Sequence, residues 1–147
     1  MAEHAVPGAA DGIRTENTRA FRDIAMSMAN FERSTTAELV AAYRDAAEKH
    51  GAATESADHK NANKTADVFA GVYSELRRRG IESQRLLVAL LTSPSPGVRL
   101  WAASHALEFA PLEGEPVLVE LSAGRNLIGL SAEMTLREWR NNRLRFP

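Results

Sequence analysis

The chain has 147 residues, 44% apolar and 25% charged, with a formal net charge of -1. That suits one domain able to bury a core, and it leaves no global field to steer the chain toward nucleic acid or a membrane. Cysteine is absent, which excludes disulfides, thiol nucleophiles and thiolate metal sites together. Met1–Gly12 has no hydrophobic signal region and no apolar run is long enough to span a bilayer, so the sequence predicts a cytoplasmic protein.

Residues 1–33 read as a disordered, Ala- and Gly-rich start followed by an apolar stripe at helical spacing: Ala20, Phe21, Ile24, Met28 and Phe31. The stripe fits either an extra helix docked on the domain or a stretch upstream of the true start, since Met26 and Met28 are both plausible initiators. The helical domain is expected over residues 34–147. Thr35-Thr36-Ala37-Glu38 fits a capping box. Leu39, Val40, Tyr43, Ala46 and Ala47 supply the buried face behind it, and Gly51 is expected to stop that helix. A loop is expected over Ala52–His59. The next helix is expected from about Lys60 to Arg79. Ala62, Ala66, Phe69, Tyr73 and Leu76 form its apolar seam, Arg77, Arg78 and Arg79 complement its negative end, and Gly80 supplies a left-handed cap.

Glu82–Leu91 predicts a short helix with Leu86, Leu87, Leu90 and Leu91 inward. Ser95 and Pro96 are suited to cap and first helical position of the following helix. Val98, Trp101, Ala102, His105 and Phe109 share one face of it, and Pro111 ends it. Glu115-Pro116 starts the next, with Val117, Leu118 and Leu121 apolar, ending at Gly124. A last helix from about Asn126 to Asn141 carries Leu127, Leu130, Met134 and Trp139. No stretch alternates like a strand. The expected fold is all-α, with about five core helices packed antiparallel to their sequence neighbours.

Pro96-Gly97-Val98-Arg99-Leu100-Trp101-Ala102-Ala103, followed by Ala106-Leu107, resembles the second half of a HEAT-type helical repeat. More of the chain follows the same pattern: Thr35-Thr36-x-Glu38-Leu39-Val40, Glu75-Leu76-x-x-Arg79-Gly80, Arg85-x-Leu87 and Met134-Thr135-Leu136-Arg137. Their order resembles a family of small bacterial proteins of unknown function with HEAT-like helices, over about residues 34–147. Glu133 departs from the small residue expected before Met134, and Leu136–Trp139 matches only approximately. The resemblance implies a HEAT-like stack of antiparallel helix pairs and carries over no catalytic residue.

No nucleophile elbow, Walker loop or dinucleotide fingerprint is present. Ser104 and His105 are adjacent on a helix and point about 100° apart, so they do not make a nucleophile–base pair by proximity alone. His105 reads as a structural, hydrogen-bonded histidine. His50 and His59, without Cys or an H-E-x-x-H helix, make a metal site improbable. No catalytic residue, metal or cofactor is therefore expected.

Two charge features invite a partner reading. Of the 18 basic residues fifteen are Arg and three Lys, and Arg77, Arg78 and Arg79 read either as a solvated helix end or as a partner contact. Glu108, Glu113, Glu115 and Glu120 lie in a stretch without Lys or Arg and read either as a solvated face or as a surface for a basic partner. Arg99 reads as a brace between helices and Trp101 as core. The resulting expectation is a non-enzymatic protein-binding module without a membrane role, such as an immunity protein that sequesters a bacterial toxin. The alternative is a nucleic-acid-binding protein with Arg77, Arg78, Arg79, Arg85 and Arg99 on one face.

Overall fold

The computed structural model describes residues 30–146. The chain divides into two units, 1–33 and 34–147. Of the first, residues 30–33 are described and are helical; the expected disordered start and the stripe from Ala20 to Met28 lie outside the described residues. The second unit is all-α. Its elements are α1 (Thr36–Glu55), α2 (His59–Arg79), α3 (Ile81–Arg85), a 3₁₀ segment (Leu86–Thr92), α4 (Pro96–Phe109), α5 (Pro111–Ser122) and α6 (Leu127–Arg140). The described residues contain no strand.

The helix starts follow their local chemistry. Thr35 Oγ1 accepts the Glu38 N–H at 3.1 Å, one half of the expected capping box. Asp58 caps α2 through the Asn61 N–H, Ser95 caps α4 through the Val98 N–H, and Asn126 caps α6 through the Gly129 N–H at 2.7 Å. Arg99 Nη1 donates to Ser93 O at 3.0 Å, so this arginine braces the turn that feeds α4.

Four expectations need correction. Gly51 does not end α1, which continues to Glu55. Gly51 is there for space: a Cβ built on it would meet Gly97 Cα at 2.9 Å, and one on Gly97 would meet Gly51 Cα at 2.8 Å and Ala47 O at 2.9 Å. The two helices cross backbone to backbone, which a side chain at either position prevents. The helix stops instead at Ala57, whose φ of 59° is left-handed. The Asp58 N–H donates to Ala53 O at 2.8 Å and closes the end.

Gly80 also differs. Its φ of 119° and ψ of 175° make it a sharp link that ends α2 and begins α3 without a loop, rather than a left-handed helical cap. The expected helix over Glu82–Leu91 is α-helical only to Arg85, then tightens to 3₁₀. Leu87 and Leu90, three apart, align on the core side of that tighter coil, while Leu86 is 45% exposed. Finally, Pro111 begins α5 as well as following α4, and Pro116 lies inside α5 rather than at its start. Pro116 removes the hydrogen bond to the Leu112 carbonyl. Leu112 is 89% exposed, so water can serve that carbonyl.

The core is formed by Leu39, Tyr43, Ala47, Phe69, Val72, Tyr73, Leu76, Leu87, Val98, Ala102, Ala106, Leu118, Ala132 and Leu136. Small residues dominate where helices meet. Gly114 sits where an added Cβ would be 2.7 Å from Ala103 O, so α5 lies close on α4. Helix α6 presents Ile128, Gly129, Ala132 and Leu136 inward. Its bulkier residues Leu127, Leu130 and Met134 are 46%, 50% and 53% exposed. The face that packs is thus that of Ile128, Gly129, Ala132 and Leu136, and the apolar residues read from the sequence lie on the outward face.

Gly97→Ala separates α1 from α4 and is expected to lower the unfolding free energy by about 1–3 kcal/mol, read as a shift in the urea midpoint. Ala57→Gly relieves a left-handed alanine and is expected to raise it by about 0.5–1 kcal/mol in the same measurement.

Candidate functional site

The crossing at Gly97 sets where the outward edge of α4 lies. Val98 and Ala102 are buried, but Trp101, His105 and Phe109 on the same face are only partly so. They join Phe69 and Tyr73 of α2 in an aromatic cluster. The rings of Phe69 and Trp101 lie 4.7 Å apart, and Tyr73 stacks on His105 at 3.9 Å with 12° between planes. Trp101, expected in the core, is instead half-buried at the cluster's rim. Its indole N–H is buried without a hydrogen-bond partner. His50 stands edge-on to Trp101 at 5.3 Å and is fixed by a 2.8 Å bond between its Nδ1 and Ala62 O.

His105 is the polar centre of this cluster. Tyr43 is fully buried, and burial, followed by the neighbouring Tyr73, raises its hydroxyl well above the ordinary tyrosine value. It therefore keeps its proton, and the hydroxyl and His105 Nδ1 share a hydrogen bond of 2.5 Å. The imidazole is neutral. Burial pushes its pKa down to about 3. Ser104 Oγ donates to Leu100 O at 2.7 Å, away from the imidazole. The arrangement is that of a hydrogen-bonded structural histidine.

Glu108 closes the network at the end of α4. It accepts from the Tyr73 hydroxyl and from Gln84 Nε2 at 3.3 Å, and it pairs with Arg77 Nη2 at 2.6 Å. Burial, then the bond to Glu108, raises Tyr73 above the ordinary tyrosine range. Arg77 Nη1 also donates to Phe146 O at 3.0 Å, drawing the C-terminal segment onto α2. The other two arginines of the run converge on Glu75, which is buried. Arg78 holds it with two bonds of 2.8 and 2.6 Å, and Arg79 Nε adds one at 3.0 Å. The bond to Arg78 leads in lowering Glu75 to about 2, against burial, with Arg79 assisting. Arg79 Nη2 reaches Ser34 O at 2.7 Å, clasping the entry of α1 to the exit of α2.

The remaining acidic residues diverge. Glu113 meets Arg85 at 3.5 Å on the α3 side, while Glu115 meets Arg140 of α6 at 3.0 Å. Glu120 is exposed further along α5. The four glutamates singled out in the sequence therefore do not gather at one place, and Arg77–Arg79 are engaged within the domain. What the structure does bring together is a groove lined by Ala66, Phe69, Ala70, Trp101, His105, Thr135, Leu144 and Phe146, among others, around a cavity of about 290 Å³. Leu144 and Phe146 were not legible in the sequence, because the alternation Arg143-Leu144-Arg145-Phe146 is too short to mark an element. Among the described residues no group of His, Asp and Glu is placed to hold a metal ion, and no helix is long and apolar enough to cross a membrane.

The depressed His105 pKa has a directional consequence. As pH falls below about 6.5 the unfolded chain takes up a proton that the folded chain refuses until about pH 3, so stability declines with falling pH through that window. Between pH 6.5 and 5 the loss approaches about 2 kcal/mol at about 1.4 kcal/mol per pH unit. The contribution of Glu75 has the opposite origin but the same slope: it is present above about pH 4.5 and is lost as pH falls through about 2. Thermal melts of His105→Gln are therefore expected to lose the pH dependence of the parent between pH 6.5 and 5 and to keep only the Glu75 part of it below pH 4.5.

No curated protein and no solved structure matches the chain. Residues 37–139, from the first turn of α1 to the last turn of α6, match the domain of unknown function DUF2019. That span takes in the Gly51–Gly97 crossing and the whole aromatic cluster, and the chain belongs to this family.

Proposed function

We propose that this domain is a non-enzymatic protein-binding module, a HEAT-like helical stack that holds a protein partner on α6. One observation carries the reading: the exposed apolar stripe of Leu127, Leu130 and Met134. Residues spaced by three and four lie on one side of a helix, so the three side chains form a continuous strip rather than scattered exposed residues. Glu133, Arg137 and Arg140 border it, giving an apolar centre with a charged rim, the usual anatomy of a protein interface. On the adjoining α5, Val119 and Glu120 are also exposed. A sequestering role, such as neutralising a toxin, uses a surface of this kind. Arg77, Arg78, Arg79 and Arg85 share three glutamates, Glu108, Glu75 and Glu113, and this partial internal neutralisation supports a protein partner over nucleic acid.

The test is affinity capture from the native organism with the full chain and with Leu130→Asp/Met134→Asp. A specific partner is expected, and the double substitution is expected to weaken its capture at least tenfold while the melting temperature stays within a few degrees. Capture that the substitutions leave unchanged overturns the reading. So does recovery of nucleic acid with an affinity that falls steeply with salt.

A further inference from the structure

Helix α6 ends at Arg140; two residues on, Asn142 with a φ of 57° turns the chain back, and the Arg143 and Leu144 N–H groups both donate to Glu138 O. Beyond that turn the chain is not helical. Burial alternates along it: Arg143 and Arg145 are exposed, Leu144 and Phe146 half-buried. This is the pattern of an extended segment lying on a surface, with alternate side chains directed to it. Leu144 and Phe146 line the aromatic groove, and Arg77 holds the backbone carbonyl of Phe146. Arg77 is in turn oriented by Glu108. The groove thus grips its occupant by a main-chain carbonyl and two alternate apolar side chains, neither of which depends on a particular sequence beyond the apolar pair.

The occupant also underfills the groove. A cavity of about 290 Å³ remains among Phe69, Trp101, His105, Leu144 and Phe146. Trp101, on its wall, retains a buried indole N–H without an acceptor. Unfilled apolar space weakens the intramolecular fit. We propose that the groove between α2, α4 and α6 is a binding site for an extended peptide segment with two apolar side chains two residues apart, and that residues 143–146 occupy it as an internal competitor. A partner segment must displace the tail to bind, so the tail sets an affinity threshold. This mode adds an extended chain to a preformed groove, with the main chain supplying one contact and alternate side chains the rest. The site shares with the α6 reading only the premise that the ligand is a protein. Thr135, on the groove side of α6, lies about 100° around the helix from Met134.

The probe is a synthetic peptide of residues 141–147, Asn-Asn-Arg-Leu-Arg-Phe-Pro, blocked at both ends. It is titrated into the full chain and into Leu144→Asp/Phe146→Asp, following the Trp101 indole signal by NMR. The released variant is expected to bind the peptide at least tenfold more tightly than the parent. Adding Arg77→Gln is expected to weaken that binding, as is replacing both the peptide's Leu and its Phe with Asp. Equal affinity for parent and released variant, no Trp101 response at millimolar peptide, or equal binding of the Asp-substituted peptide overturns the proposal. If the double variant shows no cooperative melt, Phe146→Ala alone is titrated and the same outcomes decide. Leu130 and Met134 are intact throughout, so failure here is separate from failure of the α6 reading.

Discussion

The contact between Gly51 and Gly97 is the constraint on which the rest of the domain depends. Two helices whose backbones touch have almost no freedom to slide or rotate. Once α1 and α4 meet there, Ile128 of α6 packs beside the crossing, with its Cδ1 3.8 Å from where a Gly51 Cβ would stand. Two turns further along α4, His105 comes within reach of Tyr43. The aromatic cluster and the groove outside it follow from this placement. Gly114, equally close to Ala103 O, repeats the device between α4 and α5. Tight approach without side chains fixes the frame, and large residues fill the wedge-shaped spaces around it.

Polar groups inside this frame are handled by pairing rather than by exposure. Glu75 is buried but meets two guanidiniums. Glu108 meets a tyrosine, a glutamine and an arginine. His105 is kept neutral and hydrogen-bonded to Tyr43. Each of these networks joins separate elements: Glu108 links α4 to α2 and α3, and Arg79 links the end of α2 to Ser34 at the entry of α1. A buried charge with its partner removed is costly, so these groups also discourage alternative helix pairings. The exception is the Trp101 indole N–H, at the rim of the groove.

Much of the frame was legible in the sequence because capping chemistry is local. Ser95 with Pro96, Thr35 with Glu38, and Asn126 each mark a helix start where one occurs. The seam of Phe69, Tyr73 and Leu76 reads correctly because one strong period dominates α2. Reading failed where one residue type serves two purposes. A glycine that ends a helix and a glycine that lets two helices touch look alike in one chain, hence Gly51. Helix α6 has two apolar faces, and periodicity alone does not decide between Leu127, Leu130 and Met134 and the set of Ile128, Ala132 and Leu136 that tertiary packing selects. The 3₁₀ segment and the interior Pro116 are likewise decided by neighbours rather than by local preference. Of the site, His105 was legible as a hydrogen-bonded histidine, whereas the groove was not, since its wall includes a tail whose alternation is too short to read.

The Tyr43–His105 bond spans 62 residues of chain, and this bears on how the domain assembles. The α1–α2 and α4–α5 neighbours can meet as soon as their short connections fold. Joining α1 to α4 requires closing a far longer loop, which costs on the order of 4 kcal/mol of chain entropy before any reward. That closure is therefore the natural late step, completed only when the two glycines and the tyrosine–histidine pair lock together. On chain entropy alone, contacts within the two local pairs cost least to form and the seam between them costs most.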